Sequence, residues 1–500
     1  MFFKKQPEHK LVVIGDSLAQ GFQNGGIYRT DINFPSFIHR GFDPSLPFEQ
    51  PRFTAQAGIP LNLEVILRGL ADDFGPTLEW DEYPAAASHT VKTLKRIKKY
   101  WEGGVKDLSV PRTQPYHNLA IWGLSINDSW MVNEKNSREF INQHKEKYSV
   151  FGLLPEHAKF TTARMVLNPS LTPEAELRTQ LDNVEVLQNS GGIENLIVCL
   201  GHNNVLGTIG NLDLKWSEEE DLDSFIAFRK HSIYRPEHFE REYRTLAKKV
   251  SKIGATRVFV PTIPYPTIPP ILRGVNSEYS SNHLGYFDYY TRFWIWDEDF
   301  DPTKHPHLTK DEAIQIDFTV DEYNTIIRKI AREFGFHVVP VAKNVAGMAQ
   351  RRLGGELTRS YPPDFIAALK RNPYSAHLVT ENNETLLTTD FIRLDKETGK
   401  VNKGGIFSLD GIHPTTIGYG LMANVYRNTM EKAGVSFQKP MDWAYIIEQD
   451  SLVTAPPALL AELKIVLHFL ALGQQERLTK IGKGILGQFL STFTNYRSGQ

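Results

Sequence analysis

The chain has 500 residues, 41% of them hydrophobic and 23% charged, and a formal net charge of −2 at pH 7. This composition is ordinary for a globular protein with a large core. The balanced charge and the lack of nucleic-acid-binding motifs argue against a nucleic-acid partner. The single cysteine, Cys199, excludes an intrachain disulfide and a cysteine metal cluster. Its apolar neighbours predict a buried core position.

The first ten residues have neither the apolar segment nor the small-residue cleavage site of a secretory signal. No stretch of the sequence has the ~20 apolar residues of a membrane span. We therefore expect a cytoplasmic protein.

Five short, continuously apolar runs predict strands; they span residues 11–14, 119–122, 196–200, 257–261 and 336–341. Such runs are typical of parallel strands that are covered on both faces. Amphipathic stretches lie between them, among them 238–253 and 321–334, and Gly335 after the second is a suitable helix C-cap. Strands that alternate with helices predict a doubly wound α/β sheet.

The first predicted strand ends in Gly15-Asp16-Ser17. Ligands of open α/β sheets bind at the carboxyl ends of the strands. Ser17 is therefore a candidate nucleophile, provided that other residues supply a base and oxyanion donors. Asp16 is predicted to form the turn, because its carboxylate is able to accept backbone N–H groups.

Polar groups also follow the second and third predicted strands. Gly123 follows the second and has a backbone amide that is able to approach a substrate closely, and His202-Asn203 follows the third. The Gly123 amide and the Asn203 side chain are candidate donors to an oxyanion; the alternative for each is a simple loop. His202 is a candidate substrate contact, with a structural role as its alternative.

A candidate acid–base pair lies near the carboxyl end of the chain. Asp410 and His413 are three residues apart, so the carboxylate is able to hold one imidazole nitrogen and leave the other to accept the serine proton. Pro414 suits the first position of a helix, which predicts a tight loop for the pair. An isolated Asp-x-x-His is also compatible with a surface ion pair or a helix cap.

Three segments exceed a minimal sheet and are predicted to be insertions that shape the site; they span residues 125–191, 264–306 and 342–403. The second is rich in aromatic residues, and Trp294 and Trp296 are candidate substrate contacts on a lid or wall. The alternative is that these aromatic side chains pack internally. The acidic run 297–301 lacks the glycine and glutamate of a calcium loop, so we expect a solvated loop and no metal.

The sequence predicts two domains, a main domain of residues 1–440 and a C-terminal helical extension of residues 441–500. Residues 456–500 follow helical spacing and are expected to pack on the body or on a second subunit, which allows an oligomer. The alternative is a helix that lies on a membrane surface, because the last stretch combines an apolar face with lysines.

Together these motifs resemble the SGNH or GDSL hydrolase superfamily. The four similar blocks stand in the family's order; they are Gly15-Asp16-Ser17-Leu18, residues 118–123, residues 201–204 and Asp410-Gly411-Ile412-His413. The chain departs from the family at Asn204, where an aspartate is usual. It departs again in the long separation between Ser17 and His413, which the insertions occupy.

The resemblance implies a three-layer α/β/α fold with a flavodoxin-like parallel sheet and a shallow, open site, enlarged here by the insertions and the helical tail. It implies that Ser17 is the nucleophile, that His413 is the base and that Asp410 orients His413. The implied oxyanion hole comprises the Ser17 and Gly123 amides and the Asn203 side chain. The implied chemistry requires no metal and no organic cofactor.

We therefore expect a serine ester hydrolase of the lipase, esterase or acylhydrolase type, which forms an acyl-enzyme with a lipid or other carboxylic ester. A carbohydrate O-acetylesterase is one alternative. A non-catalytic member of the same fold that binds lipid or glycan is the other, although the full set of motif residues argues against it.

Overall fold

The computed structural model describes most of the chain, in segments that comprise residues 7–53, 58–79, 81–102, 112–144, 149–150, 154–276, 285–349 and 360–463. The described strands are β1 His9–Gly15, β2 Gly26–Ile27, β3 Ile59–Pro60, β4 Ser149–Val150, β5 Leu154–Pro155, β6 Ile193–Cys199, β7 Arg257–Pro261, β8 Leu272–Gly274, β9 Tyr289–Arg292, β10 Leu308–Thr309, β11 His337–Val339, β12 Leu387–Thr388, β13 Arg393–Leu394 and β14 Val401–Gly405.

The described α-helices are α1 Ser17–Gln20, α2 Phe34–His39, α3 Leu63–Phe74, α4 Tyr83–Glu102, α5 Asp128–Met131, α6 Glu134–His144, α7 Glu156–Leu167, α8 Gln180–Gly191, α9 Gly207–Asn211, α10 Glu219–Leu222, α11 Pro236–Ile253, α12 Lys310–Phe334, α13 Val341–Met348, α14 Pro363–Arg371, α15 Thr416–Lys432, α16 Trp443–Gln449 and α17 Ser451–Thr454.

The central sheet is parallel and has the strand order β1-β6-β7-β11. Its strands are the first, third, fourth and fifth predicted apolar runs, and their interior residues are almost all buried. Cys199 ends β6 and is buried, as expected of a core residue. A buried parallel sheet with helices in its connections is a mixed α/β fold, which confirms the predicted class.

The second predicted strand, 119–122, is not a regular strand. This segment runs beside the free edge of β1 and forms one parallel bridge, between Val13 and Asn118. The Leu119 N–H donates to the Val13 carbonyl at 2.8 Å and the Ile121 N–H to the Gly15 carbonyl at 3.0 Å. The Gln180 Nε2 donates to both the Leu119 carbonyl and the Gly15 carbonyl, at 2.8 and 2.9 Å, and so bridges this segment and β1. The chain is therefore fixed at the sheet edge without continuing the ladder.

Helices pack in two groups against this sheet. In the first group, α8 contacts β1 and α11, and α12 contacts α11 and β11; in the second, α15 contacts α2 and β11. The predicted helix 321–334 is the second half of α12, which begins at a capping box of Thr309 and Glu312 and ends at Gly335 with φ +71°. The predicted strand 336–341 is shorter because Pro340 ends it and Val341 begins α13.

The insertions contribute their own small sheets and much of the core. Strands β8, β9 and β10 form an antiparallel sheet within and beside segment 264–306. Its aromatic side chains are largely internal, since Phe287, Tyr290, Phe293 and Trp294 are buried. These four side chains therefore match the prediction of internal packing and not that of a lid or wall. In the acidic run, Asp297 is not solvated, because it pairs with Arg273 at 2.5 Å.

The beginning of the predicted C-terminal extension packs on the body. Helix α16 buries Trp443, Ile446 and Ile447 in the main core, and the turn Ala458–Glu462 buries Leu459 and Leu460 there. The stretch for which a membrane-surface helix is the alternative lies outside the described residues. Among the described helices, none combines the length and apolarity that crossing a membrane requires.

Candidate functional site

Ser17 follows the carboxyl end of β1 and is the first residue of the short helix α1. Gly15 is required before it, because a Cβ there would lie 2.8 Å from both the Ala19 Cβ and the Cys199 carbonyl oxygen. Asp16 is the N-cap of α1, and its Oδ1 accepts the Leu18 N–H at 3.1 Å. Asp16 therefore has the predicted turn role in the structure. Its cap holds Ser17 at the carboxyl ends of the strands, where ligands of such folds bind.

Asp410 and His413 form the pair that their spacing predicts. The Oδ2 of Asp410 lies 3.1 Å from the His413 Nδ1, and its Oδ1 accepts the backbone N–H groups of Ile412 and His413 at 2.9 Å each. Because Asp410 accepts Nδ1–H, the neutral ring presents Nε2 as the proton acceptor. The Phe22 ring packs against the imidazole, with 4.4 Å between centroids.

The Asp410 carboxylate is kept ionised by its surroundings. Burial by itself raises its pKa, but the charge of His413 and the hydrogen bonds to the carboxylate hold the pKa below its ordinary value. A carboxylate in this state orients the imidazole and stabilises its protonated form.

Ser17 and His413 line one cavity, yet they are not hydrogen-bonded to each other. The Ser17 hydroxyl makes no hydrogen bond with any residue that the structure describes. Contacts between a nucleophile and its base are commonly long in a ligand-free enzyme and shorten when substrate binds. The structure thus brings the two groups to the same cavity and leaves the hydroxyl open to a ligand.

Two backbone N–H groups at the site have no acceptor. Within the described segments, neither the Ser17 N–H nor the Gly123 N–H donates a hydrogen bond. Ser17 is buried and Gly123 is half-buried. Buried backbone donors are nearly always paired, so an unpaired one beside a candidate nucleophile is suited to a ligand oxygen. Gly123 has φ +77°, and a Cβ there would lie 2.9 Å from the Lys159 Cδ, so the position requires glycine.

Asn203 has the third predicted donor. Its Nδ2 donates to the Leu124 carbonyl oxygen at 2.9 Å, which ties the third block to the loop that contains Gly123. An amide nitrogen has two N–H groups, so one remains for a ligand. Beside it, Asn204 accepts the Ile126 N–H at 3.2 Å, so the asparagine that departs from the family pattern braces the same loop.

Several buried polar residues that position the site were missed from the sequence. Gln20 accepts the Trp122 N–H at 2.8 Å, and Asn118 donates to the Ala19 carbonyl at 2.9 Å, so both fix the Gly123 loop to α1. Asn118 belongs to the second motif block, but its partner and that of Gln20 are distant in sequence, so no local pattern indicates these two contacts.

Asn24 is a further missed residue, and here a signal was present. Its Oδ1 accepts the Leu409 N–H at 3.0 Å, and its own N–H donates to the Ser408 Oγ at 3.1 Å. Asn24 has φ +52° and precedes Gly25, which is the dipeptide typical of tight turns. The turn that follows α1 therefore supports the loop of Asp410 and His413.

The cavity at Ser17 has a volume of about 610 Å³ and a mostly apolar lining. Helices α13 and α15 contribute one side of it through Val345, Met348, Leu421 and Met422. Such a volume is typical of small-molecule pockets. The resemblance implies a shallow site, whereas a substantial cavity adjoins the candidate nucleophile here, because segments 264–306 and 342–403 add walls.

The other predicted substrate contacts differ in placement. His202 lines the cavity beside Ser17. Trp294 is buried in the core, and neither Trp294 nor Trp296 is among the residues that line this cavity. Gly123 and Asn203 are not among them either, so two of the three oxyanion candidates lie outside the lining of this cavity.

Neither protein-family models nor curated proteins provide a match to this chain. The resemblance to a hydrolase superfamily therefore depends on the motif residues and on their arrangement in space.

Proposed function

We propose that this chain is a serine ester hydrolase of the SGNH type, which cleaves a carboxylic ester with an apolar part by acyl transfer. The observation that carries the proposal is that the Ser17 hydroxyl and an Asp–His pair lie at the same cavity. Ser17 and His413 border one cavity, and Asp410 holds the far nitrogen of the imidazole at 3.1 Å. This is the constellation that makes a serine hydroxyl nucleophilic.

The residues act in two steps. In the first, His413 Nε2 accepts the Ser17 proton as Oγ bonds to the ester carbonyl carbon, and the carbonyl oxygen becomes an oxyanion. The oxyanion accepts hydrogen bonds from the Ser17 N–H, the Gly123 N–H and the Asn203 amide. The bond to the alcohol oxygen then breaks, and His413 delivers its proton to the departing alcohol.

In the second step, a water molecule attacks the acyl-enzyme carbonyl while His413 accepts its proton. A second tetrahedral intermediate forms, the bond to Ser17 Oγ breaks, and Oγ takes the proton back from His413. The carboxylic acid leaves and the enzyme is restored. Every group in this cycle belongs to the chain or the substrate, apart from the water.

The strand arrangement supports the same assignment. With segment 118–121 counted at its edge, the order is that segment, then β1, β6, β7 and β11. This is the order 2-1-3-4-5 of flavodoxin-like sheets. The two helix groups both contact β11, yet each packs within itself, as helices on opposite faces of a sheet do, which fits the three-layer α/β/α form of that fold.

The apolar cavity favours a lipid-like ester over a carbohydrate acetyl ester. An acetyl group needs little room, whereas a cavity of about 610 Å³ lined by Val345, Met348 and Leu421 suits a longer hydrocarbon chain. The substrate class proposed here is therefore an ester of an aliphatic acid with several methylene groups.

The test combines turnover and labelling. p-Nitrophenyl acetate, butyrate and decanoate are offered to the wild type, to Ser17→Ala and to Ser170→Ala, which changes a half-buried loop serine remote from the motifs. We expect hydrolysis of the decanoate by the wild type and by Ser170→Ala, and loss of turnover in Ser17→Ala. A fluorophosphonate probe should label the wild type and Ser170→Ala, the two proteins that are expected to hydrolyse the ester.

Equal hydrolysis by the wild type and Ser17→Ala would refute the hydrolase. Absence of both turnover and labelling would favour a binding protein, and turnover confined to the acetate would favour an acetylesterase.

A further inference from the structure

A second Asp–His pair lies beside the nucleophile. The Oδ2 of Asp16 is 2.9 Å from the His202 Nδ1, and both side chains are buried, with 0% and 3% of their surface exposed. The other oxygen of Asp16 is used by the Leu18 N–H. Asp16 directly precedes Ser17 in the chain, so this second pair adjoins the candidate nucleophile.

The far nitrogen of His202 has no hydrogen-bond partner among the residues that the structure describes. Its Nε2 is buried and makes no hydrogen bond, although His202 lines the same cavity as Ser17 and His413. A buried polar atom without a partner costs free energy and is explained when a ligand satisfies it. Most of the other side chains that line this cavity are apolar, so a polar residue among them favours a substrate with a matching polar group.

The tautomer of the neutral ring follows from its partner. Asp16 accepts Nδ1–H, so the neutral imidazole of His202 presents Nε2 as a hydrogen-bond acceptor. Nε2 is itself buried beside the cavity, so it pairs with a substrate donor once neighbouring side chains shift to admit the ligand. An ordinary ester has no donor, whereas an ester with a free hydroxyl near the scissile carbonyl does.

We infer that His202 recognises a free hydroxyl group on the substrate, so that the preferred substrate is an aliphatic ester that bears a hydroxyl next to the scissile bond. The hydroxyl belongs either to the alcohol part, as in a glycol monoester, or to the acyl part, as in a hydroxy acid ester. The inference rests on the proposed hydrolase function. Asp16 acts here as a positioning residue, because it fixes which nitrogen of His202 meets the ligand.

Two matched pairs of esters separate the two sources. For the alcohol part, 2-hydroxyethyl decanoate is compared with propyl decanoate, in which a methyl replaces the hydroxyl. For the acyl part, ethyl 3-hydroxydecanoate is compared with ethyl 3-methyldecanoate. The readout is the ratio of kcat/KM within each pair, which does not depend on the amount of active enzyme. We expect a ratio of about tenfold or more in one pair for the wild type.

The variant His202→Asn isolates the Nε2 atom. The asparagine Nδ2 stands where the imidazole Nδ1 stands, so it still donates to Asp16, but nothing replaces Nε2. We expect the ratio in this variant to fall to within about twofold of one. The control Leu206→Ala removes an apolar side chain from the same cavity wall and should lower both members of a pair together, with the wild-type ratio preserved.

The outcomes are distinguishable from failure of the hydrolase itself. Turnover that survives Ser17→Ala removes the proposed function. A wild-type enzyme that depends on Ser17 but shows ratios near one in both pairs overturns the hydroxyl preference alone. A ratio that persists in His202→Asn assigns the preference to another residue and overturns the role of His202.

Discussion

The Gly25 N–H donates to the Oδ2 of Asp410 at 3.0 Å, the same oxygen that meets the imidazole of His413. Gly25 follows the nucleophile helix closely, whereas Asp410 is 385 residues further along the chain. One carboxylate oxygen thus contacts both the turn that follows α1 and the imidazole of His413. This contact explains how the proposed nucleophile and the proposed acid–base pair, so far apart in sequence, are held in one geometry.

The Asp410 carboxylate sets the tautomer of His413, and Asp410→Asn should therefore lower kcat by ~10³–10⁴ with little change in KM. The asparagine fits the same space but no longer requires Nδ1–H, so the imidazole is able to present the wrong nitrogen to Ser17. Steady-state hydrolysis of p-nitrophenyl decanoate measures the effect, and circular dichroism checks the fold. Asp395→Asn, at an exposed turn, is the control. A loss smaller than about tenfold would contradict the assigned role.

The Asn203 side chain is expected to contribute to the oxyanion hole, and Asn203→Ala should reduce kcat by ~10²–10³. The loss should fall on kcat, because the donor is needed most when the carbonyl oxygen carries charge. Asn211→Ala, which removes an exposed amide at the end of α9, provides the comparison. If Asn203→Ala changed KM alone, the residue would bind substrate without stabilising the oxyanion.

Leu421 lines the apolar cavity from helix α15, and Leu421→Trp should shorten the preferred acyl chain. The larger ring occupies space that the chain of a decanoate would use, while a butyrate still fits. We expect the ratio of decanoate to butyrate turnover to fall about tenfold or more, since pocket methylenes are each worth roughly 1–3 kcal/mol. Leu421→Met, which conserves volume, should keep the ratio. An unchanged ratio in the tryptophan variant would place the acyl chain elsewhere.

Asp450 makes the stability of the fold depend on pH. Its Oδ2 accepts the Ile417 N–H at 2.8 Å in the first turn of α15, and burial raises its pKa from 3.8 to about 6. A folded pKa above the unfolded value means that the folded state prefers the protonated acid. The stabilisation is present below pH 3.8 and is lost as the pH rises through about 6.

The variant Asp450→Asn removes this titration and keeps an oxygen for the Ile417 N–H. Between pH 4 and pH 7.5, the free energy of unfolding of the wild type should fall by about 2.5 kcal/mol relative to the variant, because at ~1.4 kcal/mol for each unit of pKa shift the full effect of about 3 kcal/mol is reached only below pH 3.8. Urea unfolding at the two pH values measures it, with Asp395→Asn expected to parallel the wild type. Parallel wild-type and Asp450→Asn profiles would show that Asp450 does not titrate in this range.

Local features of the fold and the site could be predicted. The apolar run before Gly15 predicted a buried strand, and Gly335 predicted the end of α12, because each depends on residues next to it in the chain. The pairing of Asp410 with His413 could also be predicted, since three residues of spacing suffice for the contact. Segment 119–122 was predicted as a strand because apolarity alone cannot tell a ladder strand from a chain fixed at the sheet edge.

By itself, the sequence determined the order of the strands along the chain, the turn that presents Ser17 and the contact between Asp410 and His413. Only the tertiary structure decided which buried polar groups meet. Gln20 holds Trp122, Asn24 holds Leu409 and Asp16 holds His202. Each of these contacts joins residues that are far apart in sequence, and a buried amide or carboxylate satisfies whichever partner folding brings within about 3 Å. No periodicity records such a partner, so the site's supports and its second imidazole emerge only once the chain is folded.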